Sequence, residues 1–381
     1  MSYDLSDDQV AIRDMARDFA ASEIAPHALE WDRGKVFPRD VFKAAAALGM
    51  AAIYTGPEYG GAGLGRLDAV LIFEALATGC PAVSAFLSIH NMTTWMVDSF
   101  GSEDLRDRYL PRLVSMESIG AYCLTEPGSG SDAAALATRA ERDGDDYAIS
   151  GAKQFISGAG EADLYVVMAR TGGEGARGVS AILVEKEAQG LSFGANEHKM
   201  GWNAQPTRLV SFDGVRVPVG NRLGAEGEGF RFAMKGLDGG RLNIAACSLG
   251  GAQAAFDKAL AYTAERKAFG QSLDQFQALQ FKLADMATKL EACRVMLYAA
   301  AAALDRQEPD ATARVAMAKR FVTDTCFEVA DDALQLHGGY GYLHEYGVEK
   351  LVRDLRVHRI LEGTNEIMRV IVARALLSGR E

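Results

Sequence analysis

The hydrophobic pattern along the chain changes twice, from helical to strand-like and back to helical. In residues 1–120, apolar positions recur at three- and four-residue steps, which is typical of amphipathic helices. Ser6 followed by Gln9 has the spacing of a capping box, and Ser102 precedes two acidic residues as a helix N-cap would. The glycine-rich segment 59–65 interrupts the pattern. The pattern therefore predicts an N-terminal α-helical domain over 1–120.

Residues 121–228 have the pattern of strands. Short apolar runs at 163–170 and 179–187 are bounded by glycine or charge, and segments 147–157 and 207–218 partly alternate between apolar and polar residues. Helices of 10–15 residues do not separate these runs, so a Rossmann-type parallel sheet is not expected. The pattern favours an antiparallel barrel or sandwich, and predicts a middle antiparallel β domain.

From residue 229 to 381 the pattern is helical again. Three long alanine-rich stretches, at about 243–267, 274–305 and 310–336, predict a helical bundle with small, close contacts. The last stretch has one apolar face, which ends at Gly338-Gly339 and consists of Val315, Ala318, Val322, Cys326, Val329, Ala333 and Leu336. The fold class predicted is α+β, with the β domain between an N-terminal helical domain and a C-terminal helical bundle.

Composition and charge disfavour several classes of function. The 381 residues are 49% hydrophobic and 24% charged, as in an ordinary globular protein of more than one domain. The net charge of −11 disfavours nonspecific binding to nucleic acid or to an anionic membrane. The N-terminal MSYDLSDDQV lacks the features of a secretory signal, and no run of apolar residues is long enough to span a bilayer. Five scattered cysteines indicate reduced, buried thiols, so we expect a cytoplasmic enzyme without a metal site.

Common catalytic and nucleotide-binding motifs are absent. The glycines at 60–65 miss the dinucleotide spacing because position 66 is arginine, and the sequence contains no P-loop. The six histidines do not have the spacing of metal ligands. Gly128-Ser129-Gly130-Ser131 is out of register for a nucleophilic serine elbow.

Two segments could bind a cofactor. YCLTEPGSGSD (122–132) offers backbone N–H groups and short hydroxyls that suit an anionic or polar cofactor, although a surface turn has the same composition. KQFIS (153–157) places an aromatic beside a hydroxyl on a strand, where it could stack on a planar ring or simply fill a core.

Two further segments could act on a substrate. Arg241 in LDGGRLNIAA (237–246) could pair with a phosphate or be solvated. Glu362 lies between Leu361 and Gly363 in RILEGTNEIMR (359–369), and an apolar setting of this kind raises the pKa of a carboxylate toward that of a usable base. The alternative is a surface glutamate beside a helix N-cap formed by Thr364 or Asn365.

These four segments, in this order on an α–β–α layout, resemble the acyl-CoA dehydrogenase family over essentially the whole chain. The most specific motifs are YCLTEPGSGSD, ERKAFGQ (265–271), LQLHGGYGY (334–342) and ILEGTNE (360–366). The resemblance implies the three-domain acyl-CoA dehydrogenase fold with a C-terminal four-helix bundle. It also implies FAD as cofactor, an acyl-CoA substrate, electron-transferring flavoprotein as acceptor, and a homo-oligomer, usually a tetramer.

The resemblance further implies roles for individual positions. Those matching flavin and thioester contacts are Tyr122, Cys123, Leu124, Thr125, Gly130, Ser131, Phe155, Ile156 and Ser157. Those matching contacts to the FAD pyrophosphate and adenosine across a subunit interface are Arg266, Phe276, Gln277, Gln335, Leu336, His337, Gly338 and Gly339. Further flavin contacts match Thr364, Asn365 and Glu366, and CoA-substrate contacts match Ser131, Asp238, Gly239, Gly240, Arg241 and Arg374.

The implied reaction removes hydrogen across the α–β bond of an acyl thioester. Glu362 would take the α-proton while flavin N5 accepts the β-hydride. Some family members carry the base immediately before the residue matching Arg241, but Gly240 occupies that position here. Leu361 and Phe155 replace the more common tyrosine and tryptophan, and with LADMAT (283–288) they look most like the isobutyryl-CoA dehydrogenases of valine breakdown. A straight short-chain, butyryl-type substrate is the alternative.

Other functions of the same fold remain open at this level. A flavin oxidase would pass electrons to oxygen, and nothing in the sequence reports on oxygen access. A DNA-binding flavoprotein of the alkylation-response type would need a basic surface, which the net charge of −11 disfavours. The glutamate at 362 disfavours both the nitroalkane-oxidising branch, which uses aspartate, and a noncatalytic scaffold.

Overall fold

The N-terminal part of the chain is helical, as predicted. The computed structural model describes residues 5–378, so positions 1–4 of the N-terminal decapeptide lie outside the described residues. The helices are α1 (Asp7–Phe19), α2 (Ala28–Gly34), α3 (Arg39–Ala47), α4 (Arg66–Gly79), α5 (Pro81–Phe100) and α6 (Glu103–Val114). The capping box is confirmed, since the backbone N–H of Gln9 donates to Ser6 Oγ and that of Ser6 donates to Gln9 Oε1, each at 3.2 Å. Helices α4 and α5 are buried on most of their faces and form the centre of this part.

The middle part is one twisted sheet. Its strands are β1 (Gly120–Cys123), β2 (Arg139–Asp143), β3 (Asp146–Ser157), β4 (Leu164–Arg170), β5 (Val179–Glu185), β6 (Leu191–Phe193), β7 (Thr207–Pro218) and β8 (Arg222–Leu223). The order is β6-β7-β3-β2-β4-β5-β8, with β1 paired to β4. Most neighbours are antiparallel, but β1 and β2 run parallel to β4. The segment that connects β1 to β4 is the β2–β3 hairpin rather than a helix, so the sequence pattern gave no sign of parallel pairing.

The C-terminal part is helical, as predicted. It consists of α7 (Gly229–Glu265), α8 (Gln277–Asp305), α9 (Ala311–Leu336), α10 (Val348–Arg356) and α11 (Asn365–Leu377), with a small hairpin of β9 (Lys267–Ala268) and β10 (Gln271–Ser272) between α7 and α8. Helices α7, α8 and α9 pack on one another, while α10 and α11 pack on α9. All seven predicted apolar-face residues of α9 are buried. Within residues 5–378, no helix is long and apolar enough to cross a membrane.

Helix α7 begins well before the predicted start at about 243. Glycines at 236, 239 and 240 lower helix propensity and conceal its first turns in the sequence. Each of these glycines makes room for a neighbour: an added Cβ would lie 3.3 Å from Met92 Sδ at position 236 and 2.2 Å from Arg66 Nη1 at position 239. The glycines therefore permit close packing on one side of α7, which also faces a cavity.

Candidate active site

A cavity of about 430 Å³ lies between helices of both helical parts and the edge of the sheet. The walls of this cavity, which we call the main cavity because Glu362 lines it, come from α5, from β1 and the loop after it, from the end of β3, from α7, and from α11 with the segment that leads into it. The predicted site residues that line it are Tyr122, Leu124, Thr125, Gly130, Ser131, Phe155, Ile156, Ser157, Arg241, Glu362 and Arg374. The structure thus brings all four sequence segments to one place.

Glu362 presents its carboxylate to this cavity. Its Oε2 atom is buried and has no hydrogen-bond partner among the described residues. Burial raises the pKa of Glu362 to about 7, although Arg241 and Lys319 oppose the rise. Thr364 caps α11, since its Oγ1 accepts from the Ile367 backbone N–H at 3.3 Å, as one reading of the sequence allowed. Glu362 is nevertheless a cavity residue rather than a surface one, and it is poised to exchange a proton near neutral pH.

The backbone of Glu362 is left-handed, with φ of 56°, and Gly363 follows with φ of 84°. A left-handed conformation is costly for a glutamate, so the surroundings must hold it in place. The Arg241 Nε–H donates to the carbonyl oxygen of Glu362 at 3.2 Å, and Arg241 is itself fixed by a 2.8 Å ion pair with Asp238. Arg241 therefore lies in the cavity wall and orients the loop that carries the carboxylate.

Gly240 lies directly against the Glu362 carboxylate. A Cβ at this position would lie 2.6 Å from Glu362 Oε2, which is too close for any side chain. The absence of a side chain at 240 is therefore what allows Glu362 to occupy this part of the cavity.

The loop after β1 is held on the cavity wall by a buried ion pair. Lys153 Nζ donates to Glu126 Oε1 at 2.7 Å and to the Leu124 carbonyl at 3.1 Å. The Glu126 carboxylate also accepts from two backbone N–H groups, with Oε2 accepting from Ala137 (2.6 Å) and Oε1 from Thr138 (3.0 Å). These four bonds fix the loop, so that Gly130 and Ser131 reach the cavity.

The aromatic side chain of Phe155 is exposed rather than packed in the core. The pairing of β3 with β7 shifts register between Lys153 and Ile156, and Phe155 within this bulge has φ of 58°. Its side chain is 64% exposed and lines the cavity. Nearby, the Tyr122 hydroxyl is buried without a hydrogen-bond partner in the described part of the chain. An exposed ring at a strained position and an unsatisfied hydroxyl both indicate a ligand site.

A second cavity of about 530 Å³ lies near the β9–β10 hairpin. The predicted residues that line it are Arg266, Gln335, Leu336, His337, Gly338 and Gly339. The His337 ring stacks on Tyr262 with ring centroids 4.4 Å apart, and the Arg266 guanidinium lies over Tyr340. Phe269 at the tip of the hairpin is 97% exposed. The structure therefore divides the predicted site residues between two separate cavities of one chain.

The remaining predicted residues lie outside both cavity walls: Cys123, Asp238, Gly239, Gly240, Phe276, Gln277, Thr364, Asn365 and Glu366. Cys123 is buried, and Asn365 is buried with its amide bonded to α9. Phe276 and Gln277 stand at the start of α8 beside the hairpin. Their assigned contacts with cofactor or substrate stay predictions.

Sequence reasoning missed two residues of the site. Trp202 lines the main cavity, and its ring N–H donates to His358 Nε2 at 3.1 Å while its backbone N–H donates to Asp354 Oδ1 at 2.6 Å. Lys319 is fully buried in α9 and hydrogen bonded to the loop of Glu362. The signal for Lys319 was its place among the apolar positions of α9, since a lysine is almost never fully buried without a specific partner.

Comparison with known proteins shows to which protein family the chain belongs. Models of the acyl-CoA dehydrogenase N-terminal, middle and C-terminal domains match residues 6–117, 121–215 and 227–377. The chain therefore belongs to the acyl-CoA dehydrogenase family, whose members are flavoprotein oxidoreductases, and the predicted family and α+β three-domain fold are confirmed.

Individual relatives narrow the comparison. The mitochondrial isobutyryl-CoA dehydrogenase of Bos taurus is 55% identical over 376 residues, covering 99% of this chain and 90% of the relative. A solved structure described as the electron transferring flavoprotein of Acidaminococcus fermentans has a TM-score of 0.96 at 41% identity, covering 100% of both chains. Butyryl-CoA dehydrogenase from Megasphaera elsdenii has a TM-score of 0.95 at 37% identity, covering 99% of this chain and 100% of that one.

Proposed function

We propose that this acyl-CoA dehydrogenase acts on a short, branched acyl-CoA of the isobutyryl type and forms the 2-enoyl-CoA. The observation that most directly supports this reaction is the Oε2 atom of Glu362, which is buried in the main cavity without a hydrogen-bond partner among the described residues. The branched substrate is supported by the identity of 55% to the relative named as an isobutyryl-CoA dehydrogenase. The chain also carries Leu361 rather than tyrosine in the cavity wall beside the base.

The residues of the main cavity suit a flavin, and we propose FAD as the cofactor. The exposed ring of Phe155 offers a stacking surface, and the Tyr122 hydroxyl and the 124–131 loop offer hydrogen-bonding groups. Arg266 and the 335–339 segment of a second copy would hold the pyrophosphate and adenosine, since they line a separate cavity of their own chain. When bound, the flavin supplies the acceptor for the hydride that leaves the β-carbon.

The chain itself supplies the proton chemistry. The α-proton of a thioester is too weakly acidic for a carboxylate to remove in water, so hydrogen bonds to the thioester carbonyl must stabilise the developing enolate in a site that excludes water. A desolvated Glu362, whose pKa is about 7, is a stronger base than an ordinary glutamate and is half deprotonated near neutral pH. Arg241 keeps the carboxylate oriented by fixing its backbone carbonyl.

Electron-transferring flavoprotein is the proposed acceptor, and a homotetramer is the proposed assembly. The Acidaminococcus fermentans structure of the same fold is described as an electron transferring flavoprotein, which supports this acceptor. The 97% exposed Phe269 beside the second cavity supports the presence of a second copy there. A cytoplasmic location stays a prediction, because the Bos taurus relative is named as mitochondrial.

An anaerobic titration tests the proposal. The visible spectrum of the purified flavoprotein is recorded while isobutyryl-CoA or butyryl-CoA is added. We expect isobutyryl-CoA to bleach the oxidised flavin bands at the lower concentration. Bleaching by butyryl-CoA alone would move the enzyme to straight short chains, as in the Megasphaera elsdenii relative. A flavin that neither thioester reduces would contradict a short-chain substrate.

A further inference from the structure

Lys319 is a fully buried lysine that the proposed chemistry does not use. It lies in α9 with no exposed surface. Its Nζ donates to the carbonyl oxygen of Gly363 at 2.8 Å and to Asn365 Oδ1 at 2.9 Å. Both acceptors are neutral, and among residues 5–378 no carboxylate forms a direct ion pair with this ammonium group. A buried cation without a counter-ion is costly, so its presence needs a reason.

Both acceptors belong to the loop that carries Glu362. Glu362 and Gly363 are consecutive left-handed residues, and their two carbonyl oxygens accept from different cations, Arg241 and Lys319 respectively. Each cation comes from a different long helix, α7 or α9. The strained turn is therefore fixed from two sides. Among residues 5–378, Lys319 is the one residue of α9 that donates to a carbonyl of the turn.

Asn365 extends the same attachment. Its amide nitrogen donates to Thr323 Oγ1 at 3.0 Å and to Asp324 Oδ1 at 2.9 Å, both on α9 one turn beyond Lys319. The Asn365 oxygen that accepts from Lys319 is thereby oriented. Lys319 thus links both ends of the segment from Gly363 to Asn365 to one rigid helix.

Charged and titratable groups from several elements face Glu362 and Lys319. Glu362 is faced by Arg241 from α7, Lys319 from α9, Tyr122 from β1 and Tyr54 from the segment before α4. Arg241 forms an ion pair with Asp238 at 2.8 Å, and it lowers the pKa of Glu362 more than Lys319 does. Lys319 is faced by Glu362 and Arg241, by Asp324 and Glu366, and by His358.

Of the two cations that face Glu362, Arg241 has an ion-pair partner, whereas Lys319 has none among the described residues. Burial lowers the pKa of Lys319 to about 7, and burial raises that of Glu362 to about 7. Each group in its charged form favours the charged form of the other.

We propose that Lys319 is a positioning residue for the catalytic base: it docks the loop from Glu362 to Asn365 on α9, and its charge favours the carboxylate form of Glu362. This inference rests on the proposed role of Glu362 as the base. A lysine at this place links the conformation of the loop to the protonation state of Glu362, because one ammonium group supplies both the hydrogen bonds and the charge.

The test compares Lys319→Met, Lys319→Gln and a control, Val329→Ala, in the holoenzyme. Val329 is fully buried on the same helix, so its truncation lowers stability without touching the loop. Hydrogen–deuterium exchange is followed in the peptide 360–366, and kcat, KM and the pH midpoint of kcat are measured. For Lys319→Met we expect faster exchange of this peptide, kcat lower by about 10- to 100-fold with KM nearly unchanged, and a midpoint about one pH unit higher.

The other variants separate the two effects. Lys319→Gln keeps a donor without the charge, so it should retain more of the exchange protection while its midpoint shifts as in the methionine variant. Val329→Ala should change neither the exchange of the peptide 360–366 nor the pH midpoint of kcat. Wild-type protection of the peptide in Lys319→Met, or a wild-type midpoint in both lysine variants, would overturn the proposal. Since exchange does not depend on turnover, an enzyme that oxidises no short acyl-CoA would refute the proposed function and leave this readout intact.

Discussion

Two buried lysines hold the two loops that meet in the main cavity, and they do so differently. Lys153 attaches the loop after β1 through an ion pair with Glu126 at 2.7 Å, in which both side chains are nearly inaccessible. Lys319 attaches the loop of Glu362 through two neutral oxygens. The first loop is fixed by a pair with no net charge, whereas the second is fixed by a cation that leaves its charge near the base.

The difference matches what each loop has to do. The loop after β1 offers backbone and hydroxyl groups to a ligand, and the ion pair keeps these groups in place. Although burial alone would raise the pKa of Glu126, Lys153 lowers it, and the carboxylate stays charged within the pair. The loop of Glu362 must hold a group that changes its protonation state, and a nearby unpaired cation affects that change directly. The same residue type thus serves rigidity in one loop and proton chemistry in the other.

The largest effect expected is the loss of turnover in Glu362→Gln. The amide keeps the shape of the side chain but cannot take a proton, so kcat should fall by about 10³- to 10⁴-fold. The flavin absorbance of the purified protein and the binding of acyl-CoA should remain, because neither requires the proton transfer. Stopped-flow flavin reduction measures the effect, with Glu58→Gln as the control, since Glu58 is an exposed glutamate in the N-terminal part. Normal turnover of Glu362→Gln would mean that another group is the base.

Removing one partner of the Lys153–Glu126 ion pair should have the largest effect on stability. Glu126→Gln leaves Lys153 buried without a counter-ion and should lower the free energy of unfolding by about 3 to 5 kcal/mol. Lys319→Met leaves two oxygens without a donor, but it also removes a buried cation that has no counter-ion, so its cost should be smaller, at most about 1 to 3 kcal/mol. Urea unfolding of the holoenzyme compares the two variants.

A double variant sharpens this comparison. Glu126→Gln combined with Lys153→Met removes both charges, so it should cost less than the sum of the two single changes. Additive losses would mean that the pair at 2.7 Å contributes no coupling. Equal losses in Glu126→Gln and Lys319→Met would contradict the distinction between the two lysines.

Much of the fold could be predicted because its signals are local. The capping box at Ser6, the limits of β7 at Thr207 and Pro218, and the apolar face of α9 all depend on residues close together in the chain. The apolar neighbours of Glu362 in the sequence left a surface glutamate open, and the assignment of Glu362 as the base came from the family resemblance and stays a prediction. The domain limits at 120 and 228 stay predictions.

Features that depend on distant residues could not be predicted. The parallel pairing of β1 with β4 joins residues more than forty positions apart, as in Gly120 with Leu164. The place of Lys319 among the apolar positions of α9 indicates burial, but its hydrogen-bond partners Gly363 and Asn365 lie more than forty residues away in the sequence. Lys153 likewise depends on Glu126, and the glycines of α7 conceal a helix because their neighbours Met92 and Arg66 come from elsewhere in the chain.

The smallest effect expected concerns the pH dependence of stability. Glu362 and Glu126, the carboxylates of the two loops, should contribute to it with opposite signs. The folded protein raises the pKa of Glu362 to about 7, from an ordinary value of 4.5. Its contribution to stability is therefore fully present below pH of about 4.5 and is lost as the pH rises through about 7. The folded protein lowers the pKa of Glu126, so the contribution of Glu126 has the opposite sign: it is present above the ordinary value and is lost as the pH falls.

Glu362→Gln should therefore stabilise the protein at pH 8.5 and have little effect at pH 5. We expect a gain of roughly 1 to 3 kcal/mol at the higher pH, because a neutral amide avoids the desolvation of the carboxylate. Thermal unfolding at the two pH values measures it, and Glu58→Gln, which changes an exposed carboxylate, should show no such dependence. An unfolding temperature that Glu362→Gln alters equally at both pH values would mean that the carboxylate titrates outside this range. The cavity would then not be the desolvating environment that makes Glu362 a base.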